Sequence, residues 1–66
     1  MNGWTNQETW NEFTIISNTE WQYDKALKLR KISDSISEYS KNLSENFGFG
    51  DTEIKWEEIA EFFWES

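Results

Sequence analysis

Glutamates are the residues that could do chemistry in the last quarter of the chain. Four of them recur at every fourth position: Glu53, Glu57, Glu61 and Glu65. On a helix, residues at this spacing lie on one face about 5–6 Å apart, and like charges there cost roughly a few tenths of a kcal/mol per pair. A helix selected for stability alone would place a lysine or an arginine in such a row. We therefore expect the row to meet positive charge outside the chain.

Four further carboxylates extend this expectation. Glu58 stands beside the row, and Asp34, Glu38 and Glu45 precede it in the chain and would widen the acidic patch. Carboxylates a few ångströms apart imitate the phosphates of duplex DNA, which carry about one charge per 1.7 Å of helix axis. The pattern indicates a partner that binds DNA through lysine and arginine. The alternative, which is the commoner meaning of a charge run, is a solvated face.

The composition excludes several other kinds of site. Without Cys or His, the chain has no thiol nucleophile, no His-based catalytic triad and no ordinary zinc site. The segment Gly48-Phe49-Gly50 lacks the spacing of phosphate-binding loops. Acid–base work by neighbours such as Glu57 and Glu58 would need a cleft, for which short helices leave almost no room. We expect a protein that is not an enzyme and that binds no metal or cofactor.

Length and charge predict one small intracellular domain. The 66 residues allow a single domain over residues 1–66, and the net charge of −7 argues against direct contact with nucleic acid. No stretch approaches the roughly 20 apolar residues of a membrane span. The N-terminus also lacks the basic and apolar regions of a signal peptide. We expect a cytoplasmic protein that does not associate with membranes.

Helices must position these residues, because the chain has no proline, three glycines and no strand-like alternation. Capping boxes predict helix starts at Thr5, Thr19 and Ser35. The phase of the apolar residues changes near Ser33, which predicts a break there. Gly48 in the left-handed conformation would end the third helix, and Asp51 or Thr52 would cap the last one. The expected fold is all-α, with three or four short helices around an aromatic, Trp-rich core.

The apolar residues of the last helix separate by angle. The predicted core stripe is Trp56, Ile59, Ala60 and Phe63. Ile54 would cover the core, and Phe62 lies on the far flank. Trp64 projects among the glutamates, where it is either an interface hot spot or a cover for the end of the core. Trp64 and Phe62 together support an alternative function, that of an adaptor or a homo-oligomer that binds through exposed aromatic rings.

One basic cluster interrupts the acidic sequence. It consists of Lys25, Lys28, Arg30 and Lys31. On a chain of net charge −7, a single short patch is weak support for DNA binding. We interpret it as balancing the acids of adjoining helices and as favouring a helix C-terminus.

The two ends of the chain resemble a known family. Residues 3–11, GWTNQETWN, resemble the opening GWTNxETWN of a family of small proteins from bacteriophages, plasmids and some bacteria. Residues 54–61, IKWEEIAE, are similar to the V-x-W-x-E-I-A-E of that family. The family has no assigned activity, so the resemblance implies a mobile-element origin and a compact helical domain. Capping and the mutual packing of Trp4, Trp10 and Trp56 would explain every motif position except Asn6 and Asn11.

Small acidic phage proteins include inhibitors that imitate DNA, and this analogy completes the hypothesis. Such inhibitors occupy the basic surface of a host DNA-binding protein, for example a nucleoid protein such as HU or a restriction or CRISPR defence protein. We expect this function here, and a homodimer remains open. The residues expected to contact the partner are Glu53, Glu57, Glu58, Glu61, Glu65, Asp34, Glu38, Glu45 and Trp64.

Overall fold

Four α-helices and one π-helical turn make up the part of the fold that the structure describes. The structure, a computed structural model, describes residues 3–48 and 53–65. In chain order the elements are α1 (Gln7–Asn18), α2 (Glu20–Ile32), α3 (Ile36–Leu43), the π-helical turn Ser44–Gly48 and α4 (Trp56–Glu65). Within those described residues there is no strand. The predicted all-α class with three or four short helices is confirmed.

Asn6, and not Thr5, caps the first helix. The Asn6 side chain accepts a hydrogen bond from the Thr9 backbone N–H at 2.9 Å, so the predicted capping box begins one residue too early. Thr5 is instead engaged with the last helix, because its backbone N–H and its hydroxyl both donate to the Glu58 carboxylate. The sequence pattern could not separate these two roles, since Thr and Asn are both good N-cap residues.

Hydrogen bonds join the start of α1 to the segment that leads into α4. Besides the Thr5 contacts, the Asn6 amide donates to the Glu53 carbonyl at 2.7 Å, and the Lys55 N–H donates to the Thr9 hydroxyl at 2.8 Å. Thr9 is fully buried. The partners are 46 to 53 residues apart in the chain, so these bonds close the fold around its core. They also give a physical role to Asn6, which the sequence pattern left unexplained.

The break between α2 and α3 is confirmed. Helix α2 ends at Ile32, and Ser35 caps α3 by accepting a hydrogen bond from the Glu38 N–H at 3.2 Å. The buried Ser33 hydroxyl donates to the Leu29 carbonyl at 2.7 Å and accepts from the Asn42 amide at 2.9 Å. Helix α2 begins after Thr19 as predicted, although the Thr19 side chain makes no capping bond.

The segment that leads into α4 differs from the prediction in the conformation of Gly48 and in where the helix begins. Gly48 does not adopt the left-handed conformation. A Cβ atom at that position would lie 2.9 Å from Trp56 Nε1, so glycine is needed because the indole packs against its backbone. The proposed caps Asp51 and Thr52 lie outside the described residues. Helix α4 begins at Trp56, which leaves Glu53 ahead of the helix.

The core is built on α4. Its predicted stripe of Trp56, Ile59, Ala60 and Phe63 is at most 4% exposed. The other helices contribute Ile16, Ala26, Leu29, Tyr39 and Leu43. Burial of these side chains contributes the apolar stabilisation on which so small a chain depends.

Aromatic rings pack around Phe13. Its ring centroid lies 4.9 Å from that of Trp4, 4.5 Å from that of Phe62 and 5.6 Å from that of Phe63. The predicted packing of Trp4, Trp10 and Trp56 with one another is therefore wrong. Trp56 instead stacks near Phe47 with centroids 6.4 Å apart, and Trp10 is 37% exposed. The expected aromatic core is present with different partners.

Tyr39 brings a polar atom into the core from α3. Its side chain is fully buried, and its hydroxyl donates to the Ala26 carbonyl on α2 at 2.8 Å. Burial raises the pKa of Tyr39 to about 12, and the nearby positive charge of Arg30 opposes that rise. The folded chain thus favours the neutral phenol.

We expect Tyr39→Phe to lower the free energy of unfolding at pH 7 by about 1 kcal/mol, because the Ala26 carbonyl loses its donor. The pKa of Tyr39 is higher in the fold than the ordinary value of 10, so its contribution is intact below pH 10 and is lost as the pH rises toward 12. Urea unfolding of both proteins from pH 7 to 11.5 should show their difference shrinking above pH 10. A difference that stays constant with pH would contradict this assignment.

We expect Asn6→Ala to lower the free energy of unfolding by about 1–3 kcal/mol, because the cap of α1 and the bond to the Glu53 carbonyl are both lost. Asn11→Ala is the matched control. The Asn11 side chain accepts a hydrogen bond from Gln7 on the exposed side of α1, so its loss should cost within about 0.5 kcal/mol. Urea denaturation at neutral pH measures both. Equal effects of the two substitutions would remove the assigned role of Asn6.

Candidate acidic interface

Three of the predicted glutamates form an exposed row on α4. Glu57, Glu61 and Glu65 are all exposed, and we call them the acidic row. Successive members lie about 6 Å apart along the helix axis, given the rise of 1.5 Å per residue. Glu53 was predicted to belong to the same helical row, but it precedes α4 and its backbone carbonyl is bonded to Asn6. The helical part of the row is therefore shorter than the sequence pattern indicated.

A groove runs between α3 and α4 beside the acidic row. It has a volume of about 570 Å³, which is more room than the sequence led us to expect. Its lining residues are Ile36, Ser37, Ser40, Lys41, Ser44, Glu45, Trp56, Glu57 and Glu61. The structure thus brings Glu45 to the same groove as Glu57 and Glu61, as the predicted widening of the patch requires.

Lys41 shares this groove with the three glutamates. The row on α4 contains no compensating base, and the spacing of its residues cannot reveal one that comes from α3. Lys41 reduces the negative charge of the groove side of the surface. Glu65 does not line this groove, so Lys41 does not offset its charge there.

A second, smaller groove lies on the other side of the acidic row. It has a volume of about 340 Å³ and is lined by Gly3, Trp4, Glu58, Glu61, Phe62 and Glu65. Glu61 lines both grooves, so it stands on the ridge between them. Glu58, which was predicted as a partner-binding residue, uses its carboxylate to hold Thr5. Its evident role in this fold is to fasten the N-terminal segment to α4.

Asp34 and Glu38 lie away from the groove. Asp34 is exposed in the connection between α2 and α3, and Glu38 is exposed in the first turn of α3. Neither of them lines the groove that holds Glu45. An acid in the first turn of a helix is favoured by the helix dipole, which gives Glu38 a local structural role.

The aromatic residues of α4 sort by exposure. Trp64 is partly buried against the core, with its ring 5.8 Å from that of Tyr39. This favours the core-cover interpretation of Trp64 over an interface hot spot, and Ile54 likewise covers the core as predicted. Phe62 is 52% exposed, although one side of its ring contacts Phe13. Phe62 is therefore the aromatic residue of α4 that is most available to a partner.

Arg30 stabilises the C-terminal end of α4. Its guanidinium donates to the Phe63 carbonyl at 2.7 Å, and α4 has no basic residue of its own in the last turn. A cation at that position complements the helix dipole. The basic cluster was predicted to favour a helix C-terminus, and for Arg30 the structure shows which one.

In the described part of the chain, no three acidic side chains converge closely enough to hold a metal ion. Among those same residues, no helix is long and apolar enough to cross a membrane. Comparisons with protein-family models, with curated proteins and with solved structures gave no match. The resemblance to the phage and plasmid family thus stays a prediction from the two end motifs.

We expect Glu58→Gln to lower the free energy of unfolding by about 1–2 kcal/mol, because an amide replaces the charged acceptor of two Thr5 hydrogen bonds. The neighbouring Glu57→Gln makes the same chemical change on an exposed side chain and should alter stability by at most about 0.5 kcal/mol. Urea unfolding compares the two. If Glu57→Gln were the more destabilising variant, Glu58 would not be the fastening residue.

Proposed function

We propose that this protein is a non-enzymatic DNA mimic that binds the basic DNA-binding surface of a host protein in the bacterial cytoplasm. The observation that carries the proposal is the exposed acidic row, with Glu45 facing it across the groove. The three carboxylates of the acidic row lie on one side of α4. A partner that presents lysine and arginine along a groove matches its charge.

The spacing of like charges along α4 supports the comparison with DNA. The acidic row places three carboxylates over a length of about 12 Å, and Glu58 is not counted because its carboxylate holds Thr5. This is one negative charge per roughly 6 Å, compared with about 3.4 Å along one strand of DNA. An ordinary exposed helix alternates the sign of its charges and does not form such a row.

The site also indicates how the complex should respond to salt. Charge pairs formed at an exposed surface weaken as ionic strength rises, because the Debye length falls from about 8 Å at 0.15 M to about 3 Å at 1 M. Lys41 in the groove opposes a basic partner locally, so the strongest contacts are expected at Glu61 and Glu65. Electrostatic complementarity of this kind governs the association rate and the choice of partner more than the final affinity.

The origin and target follow by analogy. The end motifs resemble those of a phage and plasmid family, and mobile elements benefit from inhibiting nucleoid proteins such as HU or restriction and CRISPR defence proteins. The acidic surface fits any of these targets equally well. We therefore define the partner by its chemistry, as a protein whose DNA-binding surface is basic.

One observation favours a second candidate, an adaptor that binds through apolar contacts. Phe62 is 52% exposed beside the second groove. A complex formed mainly through Phe62 would persist at 1 M NaCl, whereas a complex formed through the acidic row would dissociate. Salt resistance therefore separates the two candidates.

Binding to purified HU and to proteins captured from bacterial lysate tests the proposal. We expect a captured target to be a nucleic-acid-binding protein that duplex DNA displaces from this chain. Glu57→Lys with Glu61→Lys should weaken the affinity at least about tenfold, because like charges then face each other across the interface.

The charge-matched control is Glu8→Lys with Glu20→Lys, at two exposed sites that line neither groove. It should leave the affinity nearly unchanged, once thermal unfolding has shown that both variants fold. The proposal fails if the captured partners bind no nucleic acid. It also fails if DNA does not compete, or if the control weakens binding as much as the double variant on α4.

A further inference from the structure

Helix α2 presents a stripe of mixed basic and apolar character to solvent. The spacing of Trp21, Lys25, Lys28 and Ile32 places them within about 60° of the helix circumference at 100° per residue. All of them are exposed, and the exposed fractions of Trp21 and Ile32 are 62% and 68%. We call these residues the α2 stripe. Steps of four, three and four residues are those of a coiled-coil seam, which is a surface suited to packing against another helix.

The α2 stripe faces away from the α4 helix of its own chain. Tyr23 and Arg30, which lie about 180° around α2 from the centre of the stripe, both contact α4. The Tyr23 ring is 6.0 Å from that of Phe63, and Arg30 donates to the Phe63 carbonyl. The stripe therefore cannot reach the acidic row within one molecule. Any pairing of these two surfaces must occur between molecules.

We infer that the α2 stripe docks against the acidic row and the neighbouring Phe62 of α4 in a second copy of this chain. The charges are complementary, since the two lysines of the stripe would meet the glutamates of the acidic row. The apolar groups match as well, because Trp21 or Ile32 would cover the exposed part of Phe62. Burying such large apolar surfaces on both partners adds a contribution that charge pairs at an exposed site do not supply alone.

The dimensions of the two surfaces agree. The stripe extends over about 16 Å of α2, and the acidic row extends over about 12 Å of α4. Along the helix axes, Lys25 and Lys28 are about 4.5 Å apart, and adjacent members of the row are about 6 Å apart. Lysine and glutamate side chains are long enough to bridge the difference.

The arrangement predicts a head-to-tail mode of association. Because the two surfaces lie on different sides of the molecule, a contact leaves one stripe and one acidic row free to bind further copies. A single helix-on-helix contact buries less than the roughly 800 Å² per partner of a stable complex. The association is therefore weak, reversible and dependent on concentration. The mutual repulsion of chains with a net charge of −7 weakens it further.

This inference does not rest on the proposed function, although it involves the same glutamates. If both hold, a copy of the chain and a basic host protein compete for the acidic row. Self-association then covers the acidic row, and a partner of higher positive charge displaces the second copy.

Sedimentation velocity over a hundred-fold range of concentration tests the inference on the purified chain alone, so its outcome is independent of any host target. At low ionic strength the mean sedimentation coefficient should rise with concentration, and in 1 M NaCl the rise should diminish. Lys25→Glu with Lys28→Glu, and separately Glu57→Lys with Glu61→Lys, should each lower the association constant at least about tenfold. An equimolar mixture of these two variants should restore association. The intact stripe of the α4 variant then meets the intact row of the α2 variant, and the two reversed surfaces match each other as well.

The restoration would be specific, because both variants keep a net negative charge. Starting from −7, the α4 variant changes the net charge by +4 to −3, and the α2 variant changes it by −4 to −11. Lys31→Glu with Lys55→Glu is the matched control, since it makes the same charge change as the α2 variant at exposed positions off the stripe. It should associate like the native chain. Circular dichroism checks folding, and the neutral pairs Lys25→Gln with Lys28→Gln and Glu57→Gln with Glu61→Gln replace any variant that does not fold.

The inference is overturned if the native chain stays monomeric throughout the range, if the mixture fails to associate, or if the control loses association as well. Binding of duplex DNA or of anionic lipid vesicles to the stripe of a chain that remains monomeric would assign the stripe to a different occupant. That result would also overturn the inference.

Discussion

The attachment of the N-terminal segment to the segment that enters α4 is the constraint on which the rest of the structure depends. Thr5, Asn6 and Thr9 bond to partners among residues 53–58, which are 46 to 53 residues away in the chain. A chain of this size has little apolar surface to bury, so hydrogen bonds that join distant segments matter for its stability. The most buried of these bonds is the one from the Lys55 N–H to the Thr9 hydroxyl. With the two ends joined, α1 lies against α4 and Phe13 can reach Trp4, Phe62 and Phe63.

The same attachment gives a physical meaning to the two end motifs. One motif supplies Thr5, Asn6 and Thr9, and the other, with the residues just before it, supplies their partners. The motif positions are thus explained by mutual contact across the fold, and they do not by themselves specify a function. The acidic row lies mostly outside this network, because Glu57, Glu61 and Glu65 remain exposed while Glu58 is used to hold Thr5.

Charge is distributed so that the helices differ in what they offer to a partner. Helix α4 buries one stripe and exposes carboxylates, and α2 exposes lysines together with Trp21 and Ile32. Arg30 is the member of the basic cluster that turns inward, where it bonds to the end of α4 and opposes the rise in the pKa of Tyr39. Structural and interaction roles are therefore divided residue by residue within one short cluster.

The sequence by itself determined the helical class, the break after Ile32 and the stripe of α4 that is buried. These features follow from local rules, namely the period of the apolar residues and the chemistry of caps such as Ser35. Only the tertiary structure decided that Asn6 caps α1, that Glu58 holds Thr5, and that Gly48 accommodates the Trp56 ring. It also decided that Glu45 and Lys41 face the acidic row while Asp34 and Glu38 do not. The physical reason is that these outcomes depend on contacts between residues far apart in the chain, whose partners no local pattern identifies.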